Sequence, residues 1–185
     1  MTSEYILLER NKKTVYAQSM IRRNTIFFLC LLCFSLLRPA TASALTVRFL
    51  SVIDGDSLLI EHKGDAWEIR LIGIDAPEFK QEYGVQAKVF SLKFCHNKTL
   101  RLEFDREKKD RYGRRLAYVY ADDVMLNEEL VRAGLAIPIM IKPNTRYYAR
   151  FKAAEKEAVA KKCGFWLRGG LKQTPAQWRK SHPGK

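Results

Sequence analysis

Five short β-rich segments occupy much of the sequence between residues 45 and 121, and they limit the chain to a small, mainly β domain. Lys63-Gly64-Asp65 predicts a hairpin turn between the second and third segments. The fourth segment alternates apolar and charged residues, which is typical of a half-buried strand, whereas the fifth (RLAYVYA) is apolar on both faces. The predicted strands are 46–52, 57–62, 66–72, 100–105 and 115–121.

Three further segments have the spacing of helices. Apolar residues at i, i+3 and i+7 predict an amphipathic helix over 85–96. A short helix is predicted over 127–133, where Gly134 ends it, and a longer one from 148 to near 164. Five short strands with a helix between the third and the fourth are compatible with a small OB-type barrel, among other α+β folds.

An uncharged run of twelve residues, 26–37 (IFFLCLLCFSLL), precedes the predicted fold. Arg22 and Arg23 lie before it and Ala42-Ser43-Ala44 follows it, which is the order of a secretory signal peptide with cleavage after Ala44. A helix of this length spans about 18 Å, against a hydrocarbon core of about 30 Å, so an uncleaved membrane anchor over 26–37 is the less favoured alternative. We therefore expect a periplasmic or secreted protein.

Met20 stands just before the basic residues of this signal, so we expect translation to start there. Residues 1–44 are then an N-terminal extension and signal peptide, and 45–166 form the folded domain. The basic segment 167–185 has no periodic pattern, so it is predicted to be a tail whose charges face solvent.

The excess of basic residues indicates the kind of partner. With 33 Lys+Arg against 20 Asp+Glu, the formal net charge of +13 favours an anionic partner, such as nucleic acid or a membrane surface. A hydrophobic fraction of 47% excludes a disordered or collagen-like chain. Net charge indicates no reaction, so the candidate site has to come from individual residues.

Acidic residues follow two of the predicted strands. Asp54-Gly55-Asp56 lies between the first and second strands, where a plain turn is the alternative interpretation. Arg70 and Asp75 bracket an apolar stretch, where a surface salt bridge is the alternative, and Pro77 precedes a further carboxylate, Glu78. Carboxylates from two strand ends can converge on a hard cation such as Ca²⁺. The three histidines are scattered, so the sequence has no zinc-type ligand spacing.

A basic turn precedes the fifth strand. Its sequence is Asp110-Arg111-Tyr112-Gly113-Arg114-Arg115, for which a solvated turn is the simplest interpretation. The planar guanidinium group of arginine can also grip a phosphate through two hydrogen bonds. Arg70 and Arg114 beside a carboxylate-bound cation would suit the transition state of a phosphodiester.

Cys95 and Cys163 are the two cysteines of the predicted domain. In an oxidising compartment they could pair in a disulfide. Two separate thiols are an equal alternative, because the sequence does not give the Cα separation that a disulfide requires.

Four segments occur in an order that resembles one known family. They are 52–57 (VIDGDS), 70–78 (RLIGIDAPE), 110–118 (DRYGRRLAY) and 126–136 (LNEELVRAGLA). Together they resemble the thermonuclease family, the staphylococcal-nuclease-like calcium-dependent nucleases, from about residue 47 to 166. The resemblance implies a five-stranded OB-fold barrel with three helices, and a secreted or periplasmic nuclease that acts on DNA and RNA and leaves 3′-phosphates. We also expect a monomer with no stable membrane partner after cleavage.

The resemblance implies a calcium site. Asp56 and Asp75 match the carboxylates that bind Ca²⁺ in the family, and Ala76 matches the position that offers a backbone carbonyl to the metal. A backbone ligand does not depend on its side chain, so alanine there should be harmless.

The resemblance also implies three catalytic residues. Glu78 matches the carboxylate that orients or deprotonates the attacking water, and Arg70 and Arg114 match the arginines that bind the scissile phosphate. Beside them, Arg111 could follow a phosphate backbone and Tyr112 is a candidate substrate contact.

The sequence departs from the family at one edge of the expected pocket. Members with a well-formed nucleotide pocket often have tyrosines just before a Lys-Pro-Asn turn, whereas residues 137–141 here are Ile-Pro-Ile-Met-Ile. Because base–aromatic stacking contributes about 1–3 kcal/mol per base, we expect weaker substrate binding. A non-catalytic OB-fold module that binds nucleic acid or protein is the alternative function. Three acidic groups in an otherwise basic cleft favour the nuclease.

Overall fold

A closed barrel of five strands forms the centre of the domain in the computed structural model, which describes residues 45–183. The strands are β1 (Leu45–Asp54), β2 (Ser57–His62), β3 (Asp65–Leu71), β4 (Ile74–Asp75), β5 (Thr99–Glu103), β6 (Arg115–Ala121), β7 (Val124–Met125) and β8 (Ile137–Pro138). β1, β2 and β3 form an antiparallel meander, and β5 pairs with both β1 and β6. β6 closes the barrel by running parallel to β3. The predicted five-stranded barrel is confirmed.

β1 reaches two neighbours because it bends. Its register with β2 shifts between Phe49 and Ser51 and again between Val52 and Asp54. Bulges of this kind bend a strand and increase its twist, which lets a small sheet close on itself. The first part of the same strand pairs with β5.

The barrel interior is filled by aliphatic side chains. Alternate positions of β2 and β5 point inwards, as expected for strands with one buried face. The almost fully buried residues of the barrel strands include Leu58, Ile60, Ile69, Leu71, Leu100 and Leu102. Burial of such side chains contributes roughly 1.5–3 kcal/mol each, so this core holds the strand ends in place.

Helices cover the outside of the barrel. They are α1 (Gly84–Cys95), α2 (Leu126–Arg132), α3 (Tyr148–Ala160) and α4 (Pro175–Ser181), with a 3₁₀ turn at Gly164–Arg168. The first three correspond to the three predicted helices. Within residues 45–183 the structure therefore has one α-helix more than the resemblance implies.

The additional helix, α4, lies in the segment 167–185, which was predicted to be a basic tail without a periodic pattern. The side chain of Thr174 accepts a hydrogen bond from the Gln177 amide, and the Gln177 side chain accepts one from the Thr174 amide. Pro175 takes the first helical position. This capping box was visible in the sequence, but the segment is too short for a periodic apolar pattern.

The two cysteines are free thiols, so the disulfide alternative is wrong for this structure. Cys95 is buried against the barrel at the end of α1, whereas Cys163 is partly exposed. Burial raises the pKa of the Cys95 thiol to about 12. Cys95 therefore behaves as a small apolar core residue.

The predictions for residues 1–44 lie outside the described residues. They comprise the start at Met20, the signal peptide, its cleavage after Ala44 and the alternative anchor over 26–37. Within residues 45–183, no helix has the length and apolar character needed to cross a membrane.

Candidate active site

The ends of β1 and β4 and the loop that follows β4 bring the predicted carboxylates together. Asp56 lies in the turn between β1 and β2, and Asp75 ends β4, which pairs with β8. Both are buried, with only 5% and 2% of their surfaces exposed. Glu78 follows on the loop before α1, where its side chain is 33% exposed. These three carboxylates line one cleft of about 870 Å³.

Arg70 joins the two buried carboxylates. Its Nη1 lies 2.8 Å from Asp56 Oδ2, and its Nη2 lies 3.0 Å from Asp75 Oδ1. The hairpin register explains the first contact, because Ser57 of β2 stands opposite Arg70 of β3. The Arg70 side chain is only 14% exposed, so the surface salt bridge considered from sequence is instead a buried bridge.

Gly55 allows this turn to pack closely against its neighbours. A Cβ atom at Gly55 would lie 2.7 Å from the Cβ of Ala87 and 2.8 Å from the Cβ of Ala76. Its carbonyl accepts a hydrogen bond of 2.6 Å from the hydroxyl of Ser91. The glycine is therefore required by the approach of α1 and of residue 76, and the plain turn is an incomplete interpretation.

The backbone of Ala76 contacts Asp56. The Ala76 amide donates a hydrogen bond of 2.7 Å to Asp56 Oδ2, so the backbone around residue 76 is fixed to this carboxylate. The same oxygen faces Arg70 Nη1. The position of Asp56 Oδ2 therefore depends on the Ala76 amide and on Arg70.

Asp56 and Asp75 offer oxygen atoms, the ligand type that a hard cation prefers, although the described residues are not arranged as a metal site in this structure. Burial raises the pKa of Asp56 to about 7; Arg70 opposes this rise, whereas the nearby Asp54 adds to it. Such a carboxyl group gains from further positive charge, and Ca²⁺ prefers oxygen ligands. Within residues 45–183, no group of three or more His, Cys, Asp or Glu side chains is arranged to hold a metal. The carboxylate oxygens of Asp75 contact arginine nitrogens instead.

Arg114 lies in the same cleft but outside the buried bridge. Its Nε donates a hydrogen bond of 2.8 Å to Asp110 Oδ2, and its Nη1 lies 3.9 Å from Glu68. Although burial raises the pKa of Asp110, hydrogen bonds from Arg114 and from backbone amides outweigh it and lower that pKa overall. Asp110 therefore acts as a charged anchor that holds the basic turn over the cleft.

Arg111 and Tyr112 form an exposed edge of the cleft. Arg111 Nη2 donates a hydrogen bond of 2.6 Å to the Tyr112 hydroxyl, and Tyr112 is 68% exposed. The guanidinium of Arg114 lies 5.7 Å from the centre of the Tyr112 ring. Tyr112 is thus not a core residue, and its ring is accessible for contact with a substrate.

A second edge of the cleft is apolar. Ile139 and Ile141 line the cleft, and Ile141 is 61% exposed. Asn144 fixes the following turn, because its side chain bonds both the amide and the carbonyl of Glu107. The aliphatic side chains noted in the sequence therefore lie at the mouth of the cleft.

Arg179 is a site residue that the sequence interpretation missed. It lies on α4 and donates from Nη1 to Glu78 Oε1 at 2.7 Å, and from Nη2 to Asp75 Oδ2 at 2.9 Å. These hydrogen bonds, with Asp75 contributing most, hold the pKa of Arg179 above its usual value. No local motif marks this arginine among the other basic residues of 167–185.

Comparison with known proteins gives one consistent family. The family model described as "Staphylococcal nuclease homologue" matches residues 68–168. A thermonuclease of Staphylococcus hyicus is 38% identical over 133 residues, which cover 69% of this chain and 79% of the relative. A thermonuclease of Staphylococcus intermedius is 43% identical over 123 residues, covering 63% and 73%. Endonuclease YncB of Bacillus subtilis is 36% identical over 126 residues, covering 64% and 60%.

Proposed function

Since the chain belongs to the family of staphylococcal nuclease homologues it is a nuclease, and we propose that it hydrolyses phosphodiester bonds of DNA and RNA in a Ca²⁺-dependent reaction. The observation that carries the proposal is the Arg70 bridge between two buried carboxylates, in a cleft that also holds Glu78 and Arg114. A module that only binds nucleic acid would gain nothing from carboxylates buried in its anion-binding cleft.

The donor set around the bridge supports the choice of cation. Asp56 and Asp75, with the backbone carbonyl of Ala76, are the residues that would hold Ca²⁺. When bound, the ion would supply positive charge next to the phosphate. Proton transfer and the neutralisation of the phosphate are proposed to be carried out by side chains of the protein.

Glu78 is proposed to hold the attacking water. Its carboxylate is partly exposed and faces the cleft, so it can accept a proton from a water that approaches the phosphorus. A phosphodiester is an anion, and attack on it is resisted until its charge is neutralised. The proton acceptor therefore works only beside cationic groups.

Arg70 and Arg114 are proposed to neutralise the phosphate. Their guanidinium groups line the same cleft and are held by carboxylates, so they are oriented before the substrate arrives. Charge builds on the non-bridging oxygens during attack, and removal of one preorganised donor typically costs about 2.7–4 kcal/mol. An arginine with a pKa above about 12 is a poor proton donor, so Arg114 stabilises the leaving oxygen by charge alone.

The products are proposed to carry 3′-phosphates, as the family resemblance implies. The purified protein would be incubated with plasmid DNA, single-stranded DNA and RNA, with Ca²⁺ or with excess chelator. We expect cleavage only with Ca²⁺, and fragments whose 5′ ends accept phosphate from a kinase without prior phosphatase treatment. Cleavage that persists in chelator would contradict the calcium requirement, and 5′-phosphorylated fragments would contradict the product assignment.

The protein is proposed to act outside the cytoplasm as a monomer. The support is the order of Arg22-Arg23, the apolar run 26–37 and Ala42-Ser43-Ala44. Expression of the full chain, followed by fractionation and N-terminal sequencing, should give a periplasmic or secreted protein that begins at Leu45. A membrane-bound product that keeps residues 26–37 would contradict cleavage, and light scattering would test the monomer.

A further inference from the structure

The C-terminal segment contacts the loop that carries Glu78 at three points. The loop, residues 76–83, connects β4 to α1 without helix or strand. Arg179 bonds Glu78, the Gln81 side chain donates a hydrogen bond of 2.7 Å to the carbonyl of Gln173, and Arg168 lies 3.9 Å from Glu82. The contacts span about ninety to a hundred residues of sequence, as in the separation of 92 between Gln81 and Gln173.

The loop is tightly folded at its backbone. The Gln81 amide donates to the Glu78 carbonyl at 2.8 Å, and a Cβ at Gly84 would lie only 1.8 Å from that carbonyl oxygen. These contacts set the path of the backbone within the loop, whereas the three contacts with the C-terminal segment attach the loop to the rest of the domain and hold the Glu78 side chain. Among the described residues, the ion pair of the Glu78 carboxylate is with Arg179.

Arg179 is itself well placed to fix that carboxylate. The cap formed by Thr174 and Gln177 defines where α4 begins, and the rings of Trp178 and His182 stack with 3.8 Å between their centres. Arg179 Nη1 lies between Asp75 Oδ1, at 3.1 Å, and Glu78 Oε1, at 2.7 Å. One guanidinium thus sets the spacing between a buried carboxylate and a partly exposed one.

We propose that Arg179 is a positioning residue that holds the Glu78 carboxylate beside Asp75, in the orientation needed to accept the proton of the attacking water. The inference rests on the role of Glu78 in the proposed function. The helix that carries Arg179 lies beyond residues 68–168, which the family model matches. The chain therefore completes its active site with a segment outside that match.

A first experiment tests the contact without metal or substrate. Hydrogen–deuterium exchange would be measured on the metal-free full chain for wild type, Arg179→Gln and the control Lys180→Gln, which removes an exposed charge from the same helix. We expect Arg179→Gln to raise exchange of the Gln81 and Gly84 amides about tenfold, with the barrel strands unchanged. Unchanged exchange in the loop, or equal changes in Lys180→Gln, would overturn the proposal.

A second experiment tests whether Arg179 acts through Glu78. With single-stranded DNA and saturating Ca²⁺, Arg179→Gln should lower kcat about tenfold or more with KM changed less than about twofold, and Arg179→Lys should recover part of the loss. In a Glu78→Gln background the same substitution should change kcat less than about twofold. An equal loss in both backgrounds, or a loss confined to KM, would overturn the proposal in favour of direct contact with phosphate.

Failure of the proposed function and failure of the positioning role of Arg179 would give different results. If wild type cleaves no nucleic acid, the proposed function fails, whereas the exchange measurement still decides whether Arg179 holds the loop. If wild type is active and Arg179→Gln matches it in kcat and in exchange, only the positioning role fails. Thermal unfolding of each variant shows whether the fold is retained.

Discussion

Asp75 and Glu78 stand three residues apart, yet they are held in different ways. Asp75 ends a paired strand, is 2% exposed and is contacted by Arg70 of β3, the strand that precedes it in the sequence. Glu78 lies on an irregular loop, its side chain is 33% exposed, and its arginine comes from the last helix. Arg179 of α4 also bonds Asp75, but Asp75 is held by Arg70 and by strand pairing as well. Among the described residues, the ion pair of Glu78 is with Arg179, so Glu78 depends on a contact between distant segments.

In the proposed mechanism the buried carboxylate binds the cation, and the partly exposed carboxylate accepts the proton. A buried bridge costs much to break, because each partner left alone is an uncompensated charge in a poorly hydrated place. A half-exposed pair contributes little to stability, since solvent screens it. We infer that changes to the buried bridge affect stability and activity together, whereas changes at the edge of the cleft affect activity alone.

The largest effect is expected for Arg70→Ala. This change leaves Asp56 and Asp75 buried side by side without the guanidinium between them. We expect kcat to fall at least about a hundredfold and the free energy of unfolding to fall by roughly 3 kcal/mol. Activity assays and urea unfolding would measure the two effects.

Arg70→Lys is the matched control. A single ammonium keeps the charge but cannot reach both carboxylates with separate nitrogens. It should recover part of the lost stability and little of the kcat. Near-wild-type turnover in either variant would show that the Arg70 bridge has no part in catalysis.

Arg114→Ala should lower activity without lowering stability, which separates the two effects of Arg70→Ala. Arg114 contacts Asp110 and Glu68 at the edge of the cleft, where its side chain is 29% exposed. We expect kcat to fall about a hundredfold, but the free energy of unfolding to change by less than about 1 kcal/mol. A loss of stability equal to that of Arg70→Ala would contradict the distinction between the buried bridge and the edge.

The closeness of the three residues could be predicted from sequence because they are local, although the sequence suggested a surface salt bridge where the structure has a buried one. Asp56, Arg70 and Asp75 lie within twenty residues, and a hairpin with a two-residue turn fixes which of them meet. The resemblance supplied their roles. Pattern alone could not establish the parallel pairing of β3 with β6 that closes the barrel, since that contact joins residues more than forty positions apart.

The role of Arg179 could not be predicted, for a physical reason. It lies among several basic residues of 167–185, and most such charges face solvent. Only the packing of α4 against the loop singles out one of them. The cap at Thr174 could have indicated the helix, but no sequence pattern indicates that a seven-residue helix reaches a carboxylate 101 positions away.

Gly55→Ala tests the buried part of the site, around Asp56, by changing the packing without changing any charge. The added methyl would meet Ala87 and Ala76 at under 3 Å, so α1 or residue 76 must shift. We expect a loss of about 1–3 kcal/mol in the free energy of unfolding, with a smaller loss of activity than for the arginine variants. Gly64→Asn is the control, because that hairpin position is open and asparagine tolerates its positive φ. Equal stability of the two variants in urea would contradict close packing at Gly55.

Ile141→Tyr tests the exposed edge of the cleft by adding an aromatic ring that can stack on a base. Its expected effect is the smallest of those predicted. Ile141 lines the cleft and is 61% exposed, so a tyrosine there can meet a base without disturbing the core. Stacking contributes about 1–3 kcal/mol per base, which corresponds to a KM for single-stranded DNA lowered about fivefold or more. Because residue 141 has no part in the proposed proton transfer, kcat should stay within about twofold of the wild-type value.

Met140→Tyr is the control for this gain, since Met140 is 53% exposed but does not line the cleft. It adds the same ring to the same segment and should leave KM unchanged. Equal gains in both variants would indicate a general effect of an added aromatic group. No gain at residue 141 would mean that substrate bases do not pass this edge, and that the apolar stretch 137–141 has no effect on binding. A gain at residue 141 alone would place the bases against β8 and its following turn, along the cleft that Arg70 and Arg114 also line.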